Sequence, residues 1–163
     1  GGWSLTGIHA IQSGSPFSIR MGDDVALDGS GSRQRAQLVD GAVVERSFSS
    51  RADMIAQFFN TAAFVPTGQV PRGTYGNSGR NIISGPGMAQ TDFSVMRDFR
   101  VKEGLKLQFR SEFFNVLNQV LLGCRETTGG CNDPDANVSS RTFGQIRSAG
   151  SPREIQFALK LLW

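Results

Sequence analysis

Few side chains in this sequence are spaced for chemistry. The pair that stands out is Cys124 and Cys131, in Gly123-Cys124-Arg125-Glu126-Thr127-Thr128-Gly129-Gly130-Cys131. The two glycines let the chain fold back, so a local disulfide is the favoured reading, with free thiols as the alternative. Closing so short a loop would stabilise the fold by roughly 2.5 kcal/mol on the chain-entropy model. It would also imply an oxidising compartment such as periplasm or cell surface. A zinc site would need more ligands, and the sole histidine, His9, is far away in sequence. Further on, Asp133, Asp135 and Asn137 have the spacing that opens a calcium-binding EF loop. Val138 stands where that loop needs Gly, and Gly144 where it needs the bidentate Glu, so a solvated acidic turn is the expectation.

Gly73, Gly76 and Gly79 invite comparison with a phosphate-binding loop. No Lys-Ser or Lys-Thr follows them and no helical pattern opens behind, so they read as glycines that let the backbone turn with positive φ. His9 has no evident partner and reads as an ordinary strand residue. No Ser/His/Asp set, carboxylate pair or metal cluster stands at usable spacing, so no enzymatic activity and no cofactor are expected. The formal net charge of +3 is small and the Lys and Arg are scattered, which argues against nucleic acid as a partner.

With little local chemistry to position, the elements themselves carry the information. The last eleven residues, Arg153–Trp163, alternate with period two. Ile155, Phe157, Leu159, Leu161 and Trp163 share one face; Glu154, Gln156, Ala158, Lys160 and Leu162 share the other. Eleven strand residues rise roughly 36 Å, and a tilt near 40° leaves about 28 Å of height, which suits the apolar band of a membrane barrel. Leu105 to Phe113 alternates in the same way, with Leu105, Leu107 and Phe109 opposed to Lys106, Gln108, Arg110 and Glu112. Thr91–Val101 precedes it across the turn Lys102-Glu103-Gly104, so the two form an antiparallel hairpin. Arg97 falls on the apolar phase, where it either snorkels to an interface or marks a bulge.

The first strand runs from Trp3 to about Gln12 and extends past a bulge to residue 19. The segment 20–90 is mostly turn-forming. Within it Ser50 caps a short helix with Asp53 three residues on, and Met54, Ile55, Phe58 and Phe59 share a face; a hydrophobic plug holding the loop in shape is the favoured reading, with a lid or ligand platform as the alternative. The pattern is thus all-β, with strands at about 3–19, 91–101, 105–117 and 153–163 and long loops at 20–90 and 118–152. No apolar run is long enough for a membrane-spanning helix, which does not exclude a barrel. Long loops on one side and a short turn on the other is the asymmetry of an outer-membrane barrel, with both loops extracellular. A soluble sandwich would want more strands and compact turns.

Particular motifs now carry a family likeness. Gly2-Trp3 with Ser13-Gly14-Ser15-Pro16-Phe17, Phe59-Asn60-Thr61-Ala62-Ala63-Phe64, Gly76-Asn77-Ser78-Gly79-Arg80-Asn81, Gly85-Pro86-Gly87 and Thr91-Asp92-Phe93-Ser94 appear in order. Phe109–Asn118 and Arg153–Trp163 complete the set. Together they resemble the C-terminal part of TonB-dependent transporters of the Oar-like type. Residues 21–50, His9 and the cysteines match nothing in that pattern.

The resemblance implies a plugged, 22-stranded barrel in the outer membrane of a Gram-negative cell, taking up a substrate. Residues 1–163 would be its C-terminal segment. It would be partnered by outer-membrane lipid, by upstream strands and plug of the same chain, by the barrel assembly machinery that reads the last strand, and by TonB through a segment not contained in these residues. Ile155, Phe157, Leu159, Leu161 and Trp163 would face lipid and form the assembly signal, with Trp3 a second girdle candidate. Lys106, Gln108, Arg110, Glu112, Gln156 and Lys160 would face the lumen. The competing readings are a barrel used as adhesin or porin, and a soluble β-rich binding module.

Overall fold

The computed structural model describes residues 2–123 and 134–163. The chain divides into two compact units. A strand unit contains the N-terminal strand, Gly87–Leu121 and Gly150–Trp163. A loop unit contains Ser13–Pro86 and the described part of Leu122–Ala149.

The strand unit is one antiparallel sheet of β1 (Trp3–Gln12), β4 (Met88–Lys102), β5 (Leu105–Phe114) and β6 (Glu154–Leu162), in the spatial order β1-β4-β5-β6. The alternation read in β5 and β6 is realised in an unbroken register from Lys106↔Leu162 to Phe114↔Glu154. β4 begins three residues earlier than expected and pairs with β1 from Gln12↔Met88 to Trp3↔Arg97. The hairpin turn between β4 and β5 is shorter than the expected three residues. Lys102 pairs with Leu105, so Glu103 and Gly104 alone make the loop. Gly104 has φ +77°, a conformation that costs glycine little and a branched residue much. A register shift between Arg100 and Lys102 accommodates the tight loop.

Two strand ends differ from expectation. The first strand stops at Gln12 rather than continuing to residue 19. Ser13-Gly14-Ser15-Pro16 breaks it, and β2 (Pro16–Phe17) joins a separate two-stranded ladder with β3 (Ile83–Ser84). Pro16 has no N–H to give a continuing ladder, so the chain changes sheet there. β5 stops at Phe114 rather than 117, because Asn115 and Asn118 take left-handed conformations at φ +49° and +50°. Asn115 is buried. Its N–H donates to Asp92 Oδ1 (2.9 Å), its Oδ1 accepts from the Gln119 N–H (2.9 Å), and its Nδ2 donates to the Gln119 carbonyl (2.8 Å). A side chain that satisfies so many backbone groups ends a strand decisively.

The loop unit is folded around its own core, although its sequence reads as turns. Ile19, Ala36, Phe59, Ala63, Phe64 and Ile83 are buried together, with Phe143 packed against them. Phe59 is the hub, 1% exposed, with its ring 5.2 Å from Phe143, 5.9 Å from Phe64 and 6.2 Å from Phe17. Met21, Val25 and Val70 form a second cluster. The helix α1 (Arg51–Ala56) starts as its sequence specifies, with Ser50 Oγ accepting from the Asp53 N–H at 3.1 Å. It ends before Phe58 and Phe59, so these reach the core from the following turn rather than from a helical face. Among the three compared glycines only Gly73 has positive φ (+82°). Gly76 is required for another reason: a Cβ there would stand 2.2 Å from the Arg35 carbonyl oxygen.

Candidate functional site

The strand unit presents two chemically distinct faces, and the pleat assigns every side chain to one of them. Residues paired across strands share a face, which makes horizontal rows. Trp3, Arg97, Phe109 and Leu159 lie abreast. The next row is Leu5, Val95, Ser111 and Phe157, and the one beyond is Gly7, Phe93, Phe113 and Ile155. Toward the hairpin turn lie Phe99, Leu107 and Leu161. Leu5, Phe157 and Leu159 are each about 70% exposed, and Trp163 is 92% exposed. A contiguous apolar surface of this extent is an interaction surface rather than scattered exposure.

The opposite face gathers the charged and amide side chains. Gln108 stands opposite Lys160, Glu112 opposite Gln156, Arg110 opposite Ala158 and Lys106 opposite Leu162. Arg110 makes an ion pair with Glu112, two residues along the same strand. Gln108 Nε2 donates to Asp98 Oδ1 at 2.9 Å. The structure therefore brings Lys106, Gln108, Arg110, Glu112, Gln156 and Lys160 onto one face, and Ile155, Phe157, Leu159 and Leu161 onto the other.

Of the two expectations for Arg97, the bulge is not met. Its own register is regular, and the irregularity lies at Arg100/Lys102. Its guanidinium sits over two rings, 4.5 Å from the Phe99 centroid and 4.8 Å from the Trp3 centroid. Cation–π attraction of this kind holds a charge on an apolar face that offers it no carboxylate. His9 is likewise not partnerless: its Nδ1 is 2.8 Å from Thr91 Oγ1 on the neighbouring strand.

The sites proposed for the loops fare less evenly. Cys124, Cys131 and Asp133 lie outside the described residues. Asp135 is not a solvated turn residue but a half-buried hydrogen-bond centre. It accepts from the Ser140 hydroxyl, from Thr142 Oγ1 at 2.7 Å and from the Asn137 N–H at 3.1 Å. Burial acts to raise its pKa, and these hydrogen bonds with nearby Arg147 outweigh it, so the carboxyl is held below its ordinary value. Among the described residues no three His, Cys, Asp or Glu side chains gather as a metal site. The Arg46–Asp53 ion pair (2.6 Å) had no signal in the sequence; it ties the helix start to the preceding strip, and the Asp53 carboxyl is held low first by the Ser49 N–H and then by Arg46.

Among the described residues no helix is long and apolar enough to cross a membrane. Strands are a different matter. The sequence model of a family described as an outer membrane beta barrel domain matches residues 1–156. No characterised protein and no solved structure matches the chain. With an antiparallel sheet of two opposed faces and a family match over nearly its whole length, the chain belongs to the outer membrane β-barrel domain family, and its place is the outer membrane.

Proposed function

We propose that this chain is the C-terminal segment of a TonB-dependent outer-membrane transporter, and that its role is structural and selective rather than enzymatic. In this reading the apolar rows face lipid, because backbone groups crossing a bilayer need both internal pairing and an apolar exterior. The polar face looks into the lumen and its plug. Trp3, Phe99 and Trp163 belong to the aromatic girdle near the short turn. Upstream strands of the same chain close the barrel, since four strands are too few.

The observation that supports the transporter reading is that the motifs carrying the resemblance are ones that build the fold. Asn60 caps the short 3-10 turn Thr61–Ala63 between the buried Phe59 and Phe64. Asn77 Oδ1 accepts from the Leu38 N–H at 2.7 Å, and the Ser78 N–H reaches the Ala36 carbonyl at 3.0 Å. Asn115 ends β5.

The test is capture of the detergent-solubilised full-length protein by the purified periplasmic domain of TonB. Retention is expected. Failure of capture together with steady conductance in planar bilayers would move the protein to a porin, and failure of both with binding to cell surfaces would move it to an adhesin.

A further inference from the structure

The loop unit contains a cavity of about 580 Å³ where three strips of chain meet, around residues 15–20, 80–81 and 135–137. Its walls are fixed by hydrogen bonds. The Arg20 N–H donates to the Ala136 carbonyl and the Val138 N–H to the Arg20 carbonyl, both at 2.9 Å. The Asn81 N–H donates to Ser18 Oγ at 2.9 Å. These walls exist without a ligand, so a ligand would not have to order them.

The balance of donors and acceptors is uneven. The Asp135 carboxylate is occupied by Ser140, Thr142 and the Asn137 N–H. Asn81 Oδ1 accepts from Ser18 Oγ, and Asn137 Oδ1 accepts from the Ser139 N–H at 2.9 Å. What the lining leaves over is donors: the amide nitrogens of Asn81 and Asn137 and the guanidinium groups of Arg20 and Arg80. Among the described residues neither arginine side chain has an ion-pair partner. Phe17 and Pro16 give the cavity an apolar side.

We propose that this cavity binds an organic oxyanion, a carboxylate- or phosphate-bearing solute, with Arg20 and Arg80 taking the charge and Asn81 and Asn137 donating beside them. Two planar guanidinium forks suit either oxyanion. The ring of Phe17 favours a ligand with a carbon body over a bare ion. The site deepens the uptake reading, and rests on it only for the purpose of binding.

The experiment is calorimetric titration of the full-length protein in detergent with citrate, glucose 6-phosphate and, as neutral control, glucose. Binding of at least one of the two anions and not of glucose is expected, weakening as salt is raised. Arg20→Gln and Arg80→Gln should each lower affinity roughly tenfold or more, with Arg80→Lys retaining part of it. Lipopolysaccharide micelles form a further arm: competition with glucose 6-phosphate would assign the phosphate to a lipid headgroup, and no competition to a free solute. Absence of binding by both anions, or equal binding by the Arg20→Gln/Arg80→Gln double variant, would overturn the proposal. If that double variant does not fold, Arg80→Gln alone and the salt titration of the unaltered protein decide. Capture by TonB is independent of this titration, so either reading can fail while the other stands.

Discussion

The two units of this chain reach order by opposite routes. In the strand unit the backbone is regular, the outer strands β1 and β6 are exposed on both faces, and the central strands are mostly half-buried. In the loop unit the backbone is irregular and the side chains do the work, with Phe59, Ile19 and Met21 fully enclosed. The first is held by ladder hydrogen bonds; the second carries a core like that of a water-soluble domain. The difference teaches that a membrane barrel can keep a conventional hydrophobic core entirely in its connections.

That contrast can be broken most forcefully at Phe59. Phe59→Ala removes the ring that touches Phe17, Phe64 and Phe143, at a cost of about 3–5 kcal/mol. In assembled full-length protein we expect protease sensitivity within residues 13–86 while the heat-modifiable barrel still forms on gels. Loss of both together would mean that the units are not separable.

A step smaller is a pair of neighbours on opposite faces of β6. Leu159 lies in the same row as Arg97, where a guanidinium is already tolerated, so Phe157, one row farther from the turn, is the more informative position. Phe157→Arg should cost about 2–4 kcal/mol near the midplane and reduce surface levels sharply, whereas Gln156→Arg should be near neutral. Equal surface levels for the two would remove the assignment of faces. Arg97→Leu should matter less, about 0.5–1 kcal/mol for each lost ring contact, and its readout is a lower refolding midpoint in urea.

Acid should act on the loop unit. The carboxyls of Asp28, Asp53 and Asp135 are all held below their ordinary values. A group depressed on folding contributes stability above its unfolded pKa, roughly 3.9, and that contribution is lost as pH falls through the folded value. Asp28 is exposed and solvent screening discounts it, so the half-buried Asp53 and Asp135 carry most of the effect. Protease resistance of residues 13–86 should thus hold from pH 7 to 5 and decline below about pH 4. The smallest effect is expected at Ser111, whose hydroxyl is buried on the apolar face without a partner. Ser111→Ala should leave stability unchanged or raise it slightly, measured by the same urea midpoint.

What could be read from the sequence follows the same division. β5 and β6 were legible because period two survives wherever one face must differ from the other, and Lys106–Glu112 sorts itself against Leu105–Phe109 without any knowledge of neighbours. The cap at Ser50 was legible because it is local. The core of the loop unit was not, since Ile19, Ala36, Phe64 and Ile83 have no common period and meet only through long-range contacts. The cavity was hidden for the same reason: nothing in sequence connects Arg20, Arg80 and Asn137. The turn of Asn115 lay in plain view within a recognised motif, yet only its left-handed backbone shows why the strand ends there rather than at Leu117.

The loop unit is assembled from two separated stretches of chain, and the ties between them span from 72 to 118 residues, the longest where Ser139 Oγ donates to the Met21 carbonyl at 2.8 Å. Such ties give a high contact order, and loop-closure entropy must be met before they form. Because the chain is delivered from its N-terminal end, residues 13–86 have to wait until β4 and β5 have passed and 122–149 have arrived. The connections therefore mature late, only after β5 has been delivered and the second stretch has followed it.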